Sequence, residues 1–107
     1  PIALIEDNLP VIMFLVADGY EDKSISNLQE AYSRGAKIIL IADKCCLEKA
    51  PFAHLKILIP DFLDSFQSCF SPLLMSIPAQ LISYYIAKER GTDVDQPRNL
   101  AKSVTVE

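Results

Sequence analysis

Hydrophobic and polar positions fall into distinct blocks along the chain. VIMFLV, Val11 to Val16, is apolar at every position, rich in strand-forming residues, and stops near the turn signal Asp18-Gly19. Continuous apolarity, as opposed to alternation, predicts a strand buried on both faces, as in parallel sheets. KIILIAD, Lys37 to Asp43, repeats that signature, and HLKILIP, His54 to Pro60, predicts a third, shorter strand. Between the first two lies KSISNLQEAYSRG, in which Ile25, Leu28 and Tyr32 share one face of a helix. Ser26 with Gln29 fits a capping box at its start, and Gly35 stands where a left-handed C-terminal cap belongs. Strand, helix and strand at this spacing predict a βαβ unit with a right-handed crossover.

A further helix is predicted from about Ser71 to Arg90. Ser71 suits its cap and Pro72 its first position, and Gly91 suits its end. Leu74, Ile77, Leu81, Ile82 and Tyr85 recur at helical spacing, and Pro78 inside the pattern predicts a bend. The fold class expected is α/β, part of a doubly wound parallel sheet with flanking helices. Three strands and two helices leave one sheet face short of cover, and the chain opens on Pro1. Both observations suggest an excised piece of a longer protein.

From Asp93 onward the periodicity disappears. Ordering about fifteen residues costs roughly 15–30 kcal/mol of backbone entropy. Fully burying Val94, Leu100, Val104 and Val106 returns at most roughly 6–12 kcal/mol. The tail is therefore expected to stay mobile or to be held by something outside this segment.

Composition narrows the function. The 107 residues suggest one domain, and half of them are hydrophobic, enough for a core. A net charge of −4 with no basic cluster argues against nucleic-acid binding. Ser65 to Ala87 lacks charge, but Pro72, Pro78, Gln67, Gln80 and five serines make it too polar for a lipid-facing helix, so no membrane span is expected. Cys45, Cys46 and Cys69 form no disulfide spacing, which fits a reducing compartment, and they read as small buried hydrophobes with no zinc ligand set.

Ligands of open α/β sheets bind beyond the carboxyl ends of the strands, here Asp18, Gly19, Asp43 and Asp61. These read as solvated turn residues. His54, the single histidine, reads as a satisfied or exposed loop residue, and Ser24 and Ser26 as caps in preference to an anion site. Lys102 reads on chemistry alone as a solvated lysine. If PRNLAKS makes a helical turn, Arg98 lies at i and Lys102 at i+4, and a neighbouring cation favours the neutral, nucleophilic amine.

The terminal run GTDVDQPRNLAKSVTVE, Gly91 to Glu107, resembles the C-terminus of the glutamine–fructose-6-phosphate aminotransferase (isomerising), or glucosamine-6-phosphate synthase, family. PIALI, NLQEAYSRGAKIILIAD and SIPAQLISYYIAKERG follow the family pattern more loosely, so the resemblance covers essentially the whole chain. It implies a flavodoxin-like sugar-isomerase (SIS) fold. Residues 1–91 would be the last part of the second SIS domain and 92–107 the C-terminal tail, a lid. The family makes glucosamine 6-phosphate from fructose 6-phosphate and glutamine-derived ammonia. By the resemblance, Lys102 forms a Schiff base with C2 of the open-chain sugar and the Ala101 backbone contacts the sugar.

The resemblance implies no metal or organic cofactor. It also implies a cytoplasmic homodimer, with an upstream SIS domain and a glutaminase domain as partners in the same chain. The phosphate loop, the ring-opening histidine and the proton-transferring glutamate would all lie upstream, so this segment alone is expected to be inactive. The alternatives are a non-catalytic SIS module for sugar-phosphate sensing or dimerisation, and a related sugar-phosphate isomerase or deglycase.

Overall fold

In the computed structural model, residues 2–60 and 67–96 are described, residues 67–69 by their backbone alone. Strands β1 (Pro10–Leu15), β2 (Lys37–Ala42) and β3 (Leu55–Leu58) form a parallel sheet in the order β1-β2-β3. Val11 lies opposite Ile38, Met13 opposite Leu40, and Ile41 opposite Ile57. Helix α1 (Glu21–Ser33) joins the first two strands, and the short α2 (Lys44–Lys49) joins the second pair. The parallel α/β class expected from the apolar runs is therefore present.

The period of two along β2 assigns the faces. Ile38, Leu40 and Ala42 share a cluster with Ile25, Leu28 and Ala31 of α1 and Cys46 of α2, so both helices cover one face. On the opposite face Ile41 is fully buried, but Ile12 and Leu55 on the flanking strands are 38% and 51% exposed. Burial on both faces thus holds for β2, which has a neighbour on each side, and fails for β1 and β3. An apolar run reports the environment of a complete layer, and α1 and α2 both lie on the Ile38–Leu40–Ala42 side of it.

The end of α1 is set by Gly35. Its N–H donates to the Tyr32 carbonyl (2.9 Å) and that of Ala36 to the Ala31 carbonyl (3.2 Å), with Gly35 at φ +91°. These two bonds make a Schellman closure, and Ala31 and Ala36 are both buried beside it. The start differs from expectation. The helix begins at Glu21, a turn before the Ser26–Gln29 pair, and its N-cap Tyr20 makes no side-chain cap bond. Asp18 Oδ1 accepts from the Tyr20 N–H (2.9 Å) and Glu21 Oε2 from the Gly19 N–H (2.7 Å), so an aspartate turn launches the helix in place of a serine cap.

Helix α3 runs from Gln67 to Glu89, starting before Ser71, so Ser71 and Pro72 lie inside it and do not begin it. It is continuous through Pro78. The chain divides into two compact units, Pro1–Met75 and Ser76–Glu107, with the division inside α3. Among the described residues no helix is long and apolar enough to cross a membrane.

Candidate functional site

At the carboxyl end of the sheet, Asp43 is not the solvated turn residue that its position suggested. It is 2% exposed and both its oxygens are engaged. Oδ2 accepts from the Ala17 N–H (2.6 Å), just beyond β1, and Oδ1 accepts from the Cys46 N–H (2.9 Å) in the first turn of α2. One carboxylate therefore caps α2 and pins the loop that leaves the neighbouring strand. Asp18 is exposed, as expected, and Asp61 lies outside the described residues.

The cysteine reading divides. Cys46 is fully buried and Cys45 is exposed. Burial, then the hydrogen bond to Asp43 and its negative charge, pushes the Cys46 thiol up to about 12. It stays protonated and is no nucleophile. Cys69 lies where side chains are outside the described residues. His54 is exposed and satisfied. Its Nδ1 accepts from the Ile38 N–H (3.0 Å), its own N–H donates to the Ile38 carbonyl (2.9 Å), and its ring lies 5.7 Å from Tyr32. It ties the chain just ahead of β3 to Ile38, one residue before the first pair, Ile39 with Leu55, and both of these bonds are structural.

On the opposite side of the sheet's covering helices, α1 and α2 are clipped together by charge. Lys49 Nζ lies 2.7 Å from Asp22 Oδ1 and 3.0 Å from Glu21 Oε1. These bonds, to Asp22 first and Glu21 second, raise the Lys49 pKa, and the bond from Lys49 lowers that of Glu21. They join the helices and commit the Lys49 charge to two carboxylates.

In the second unit, the last turn of α3 closes on Gly91 (φ +66°), as expected. The Gly91 N–H donates to the Lys88 carbonyl and the Thr92 N–H to the Ala87 carbonyl, both at 3.0 Å. Beyond it, Asp93 Oδ1 accepts from the N–H groups of Asp95 (2.9 Å) and Gln96 (3.1 Å). A cleft of about 880 Å³ lies between this turn and α3, lined by Ala79, Gln80, Ser83, Tyr84, Thr92 and Val94 among others. Ala101 and Lys102, the residues singled out by resemblance, lie outside the described residues, so the structure brings neither to a site.

A parallel sheet with helices and this terminal corner define a class. Residues 1–90 match the model for the SIS domain, and the chain belongs to that family. More particularly, it is 47% identical over its whole length to the glutamine–fructose-6-phosphate aminotransferase [isomerizing] of Francisella tularensis subsp. tularensis. It is 48% identical, again over its whole length, to the enzyme of that name from Rhizobium leguminosarum bv. viciae. The chain spans 17% of the length of each of these relatives. Among solved structures it resembles the C-terminal domain of glucosamine-fructose-6-phosphate aminotransferase from Francisella tularensis. That match has a TM-score of 0.73 at 38% identity and covers 90% of this chain and 26% of the other.

Proposed function

We propose that this chain is the C-terminal piece of an isomerising glutamine–fructose-6-phosphate aminotransferase, with residues 1–91 as SIS domain and 92–107 as the tail. One observation carries the reading. Identity of 47–48% covers all of the chain, tail included, whereas the SIS match ends at residue 90. A module that only bound sugar phosphate or dimerised would have no use for the amine-bearing segment DQPRNLAKSVTVE.

The Lys102 amine in its neutral form attacks the C2 ketone of open-chain fructose 6-phosphate, and water leaves as the iminium forms. Ammonia then adds at C2 and releases the lysine amine. Proton transfer from C1 to C2, by residues outside this chain, gives glucosamine 6-phosphate. The Ala101 backbone contacts the sugar, and the chemistry requires no metal or organic cofactor. The partners are an upstream SIS domain, a glutaminase domain supplying ammonia, and a second copy in a cytoplasmic homodimer.

The test is Lys102→Arg in the longer protein, with borohydride trapping in the presence of fructose 6-phosphate. The expected result is loss of glucosamine 6-phosphate formation with glutaminase activity retained, and a wild-type adduct mapped by mass spectrometry to Lys102. Normal turnover without an adduct at that side chain overturns the reading.

A further inference from the structure

In a parallel sheet, successive residues of a central strand turn their N–H groups toward opposite neighbours. The Lys37 N–H turns toward β1 and donates to the Leu9 carbonyl (2.8 Å), so the Ile38 N–H turns toward β3. The β2–β3 register begins one residue later, with Ile39 opposite Leu55. At this end of the seam the acceptor is a side chain. His54 Nδ1 accepts the Ile38 N–H at 3.0 Å, while the His54 N–H donates to the Ile38 carbonyl at 2.9 Å. An imidazole nitrogen thus stands where a ladder carbonyl would. A carbonyl accepts at every pH. Nδ1 accepts only while the ring's single proton sits on Nε2, and a second proton turns it into a donor.

The two partners differ in exposure. His54 is exposed, so solvent protons reach the ring without unfolding. Ile38 is fully buried, so its N–H has no water to turn to. Protonation of the ring therefore leaves a buried donor unpaired and sets a second N–H against it. The ring lies 5.7 Å from that of Tyr32 on α1, which in turn lies 5.3 Å from Phe52. Of the charged groups on the surrounding elements, Arg34 beyond α1 is paired with Glu30 (3.2 Å), Lys37 of β2 is exposed, and Lys56 of β3 donates to the Leu47 carbonyl (3.0 Å). Among the described residues none of these bonds supplies the ring with a carboxylate.

We propose that His54 is a proton-operated latch on the seam between β2 and β3. The sign follows from the geometry. The bonded form carries one proton fewer, so the latch is closed at neutral and alkaline pH and opens on acidification through the ordinary histidine range. Opening releases the chain ahead of β3 from the Ile38 amide and leaves the rest of the ladder in place.

The experiment uses the full-length aminotransferase and compares wild type, His54→Asn and His54→Phe by residue-resolved hydrogen exchange at about pH 8 and about pH 5. Asparagine places a carbonyl oxygen at the position of Nδ1 and does not titrate; phenylalanine keeps a ring and has no acceptor. Protection of the Ile38 amide is taken relative to its intrinsic rate at each pH, with the Ile41 amide as internal reference. At about pH 8, wild type and His54→Asn are expected to protect Ile38 alike, and His54→Phe roughly five- to hundredfold less. At about pH 5, wild type falls to the level of His54→Phe while His54→Asn holds, and Ile41 is unchanged throughout.

Wild-type protection of Ile38 that is the same at both pH values overturns the latch. So does a parallel acid loss in His54→Asn, which places the titrating group elsewhere. Protection in His54→Phe equal to wild type at about pH 8 shows that the bond holds nothing, and His54→Asn as weak as His54→Phe at both pH values refutes Nδ1 as the acceptor. If His54→Phe also loses protection at Ile41 it has failed to fold, and the ratio of wild type to His54→Asn decides alone: a ratio that falls in acid supports the latch, and a constant ratio overturns it.

Discussion

At Gly35 two requirements coincide. The backbone holds φ +91°, and an added Cβ would stand 2.6 Å from Asp7 Oδ1 and 3.0 Å from Asp7 Cα. The Asn8 N–H donates to the Gly35 carbonyl (2.8 Å), so the approach cannot open freely. Gly35→Ala is expected to lower stability by about 2 kcal/mol or more, read as an earlier urea midpoint. An unchanged midpoint would show that the corner relaxes. Asp43 makes a different kind of demand. Asp43→Ala strands the Ala17 and Cys46 N–H groups and is expected to cost about 2–3 kcal/mol; Asp43→Asn turns an NH₂ toward one of them and costs about 1–2. The same burial protects Cys46. In site-resolved mass spectrometry, iodoacetamide should modify Cys45 under native conditions and reach Cys46 only after unfolding. Equal rates at the two would contradict the structure. Of these residues the sequence marked Gly35 clearly and Asp43 poorly. An aspartate after a strand is common in turns, and only the fold reveals that two N–H groups converge on it.

Among elements, the clip between α1 and α2 gives the stability a pH dependence whose sign can be worked out. Glu21 has its pKa lowered by Lys49, so its contribution is present above the unfolded value of 4.5 and is lost as pH falls below it. Lys49 has its pKa raised, so its contribution is full below the ordinary lysine value of 10.5 and is lost only well into the alkaline range. The stability difference between wild type and Lys49→Met should therefore be flat near neutrality and shrink on acidification below pH 4.5. It should shrink in high salt too, because the groups are partly exposed. A difference that grows in acid would refute the assignment. Periodicity made β2, the middle of α1 and the long α3 legible. It missed α2, whose six residues span too few turns to show a face. The clues were Asp43 before it, Lys49 in its last turn and Pro51 after it. It misplaced the start of α1 because Ser26 and Gln29 mimic a cap inside a helix that Asp18 and Glu21 had already begun.

For the whole molecule, the telling feature is apolar surface. Along α3, Leu73, Ile77 and Tyr85 are 65%, 55% and 57% exposed, and Ile12 and Leu55 add to this on the sheet. Each set counts by itself, and a stable monomer rarely leaves large apolar side chains at successive turns of one helix in water. The 107-residue chain by itself is expected to self-associate in sedimentation velocity and to bind a hydrophobic dye, with both signals weaker for Leu73→Glu/Ile77→Glu. A well-behaved, dye-silent monomer would contradict this. The breadth of the apolar face was readable from the spacing of Leu74, Ile77 and Leu81; what meets that face was not, because periodicity reports which side of a helix is apolar and nothing beyond it. The candidate site was legible in the same limited way. Lys102 stands out by likeness to a family and not by its own chemistry, since one lysine among polar neighbours looks like any solvated lysine.

The corner at Gly91 has one more consequence, and it concerns chirality. An added Cβ there meets nothing within 4 Å, so size is no objection, and what excludes alanine is the sign of φ alone. A mirror-image alanine, joined in by peptide ligation of the short segment from residue 91 onward, adopts φ +66° as its natural choice. By removing freedom from the unfolded chain it should stiffen the corner by about 0.5–1 kcal/mol. The same D-residue would leave Thr92 and Asp93 untouched, and so separates rigidity of this joint from the identity of its side chains.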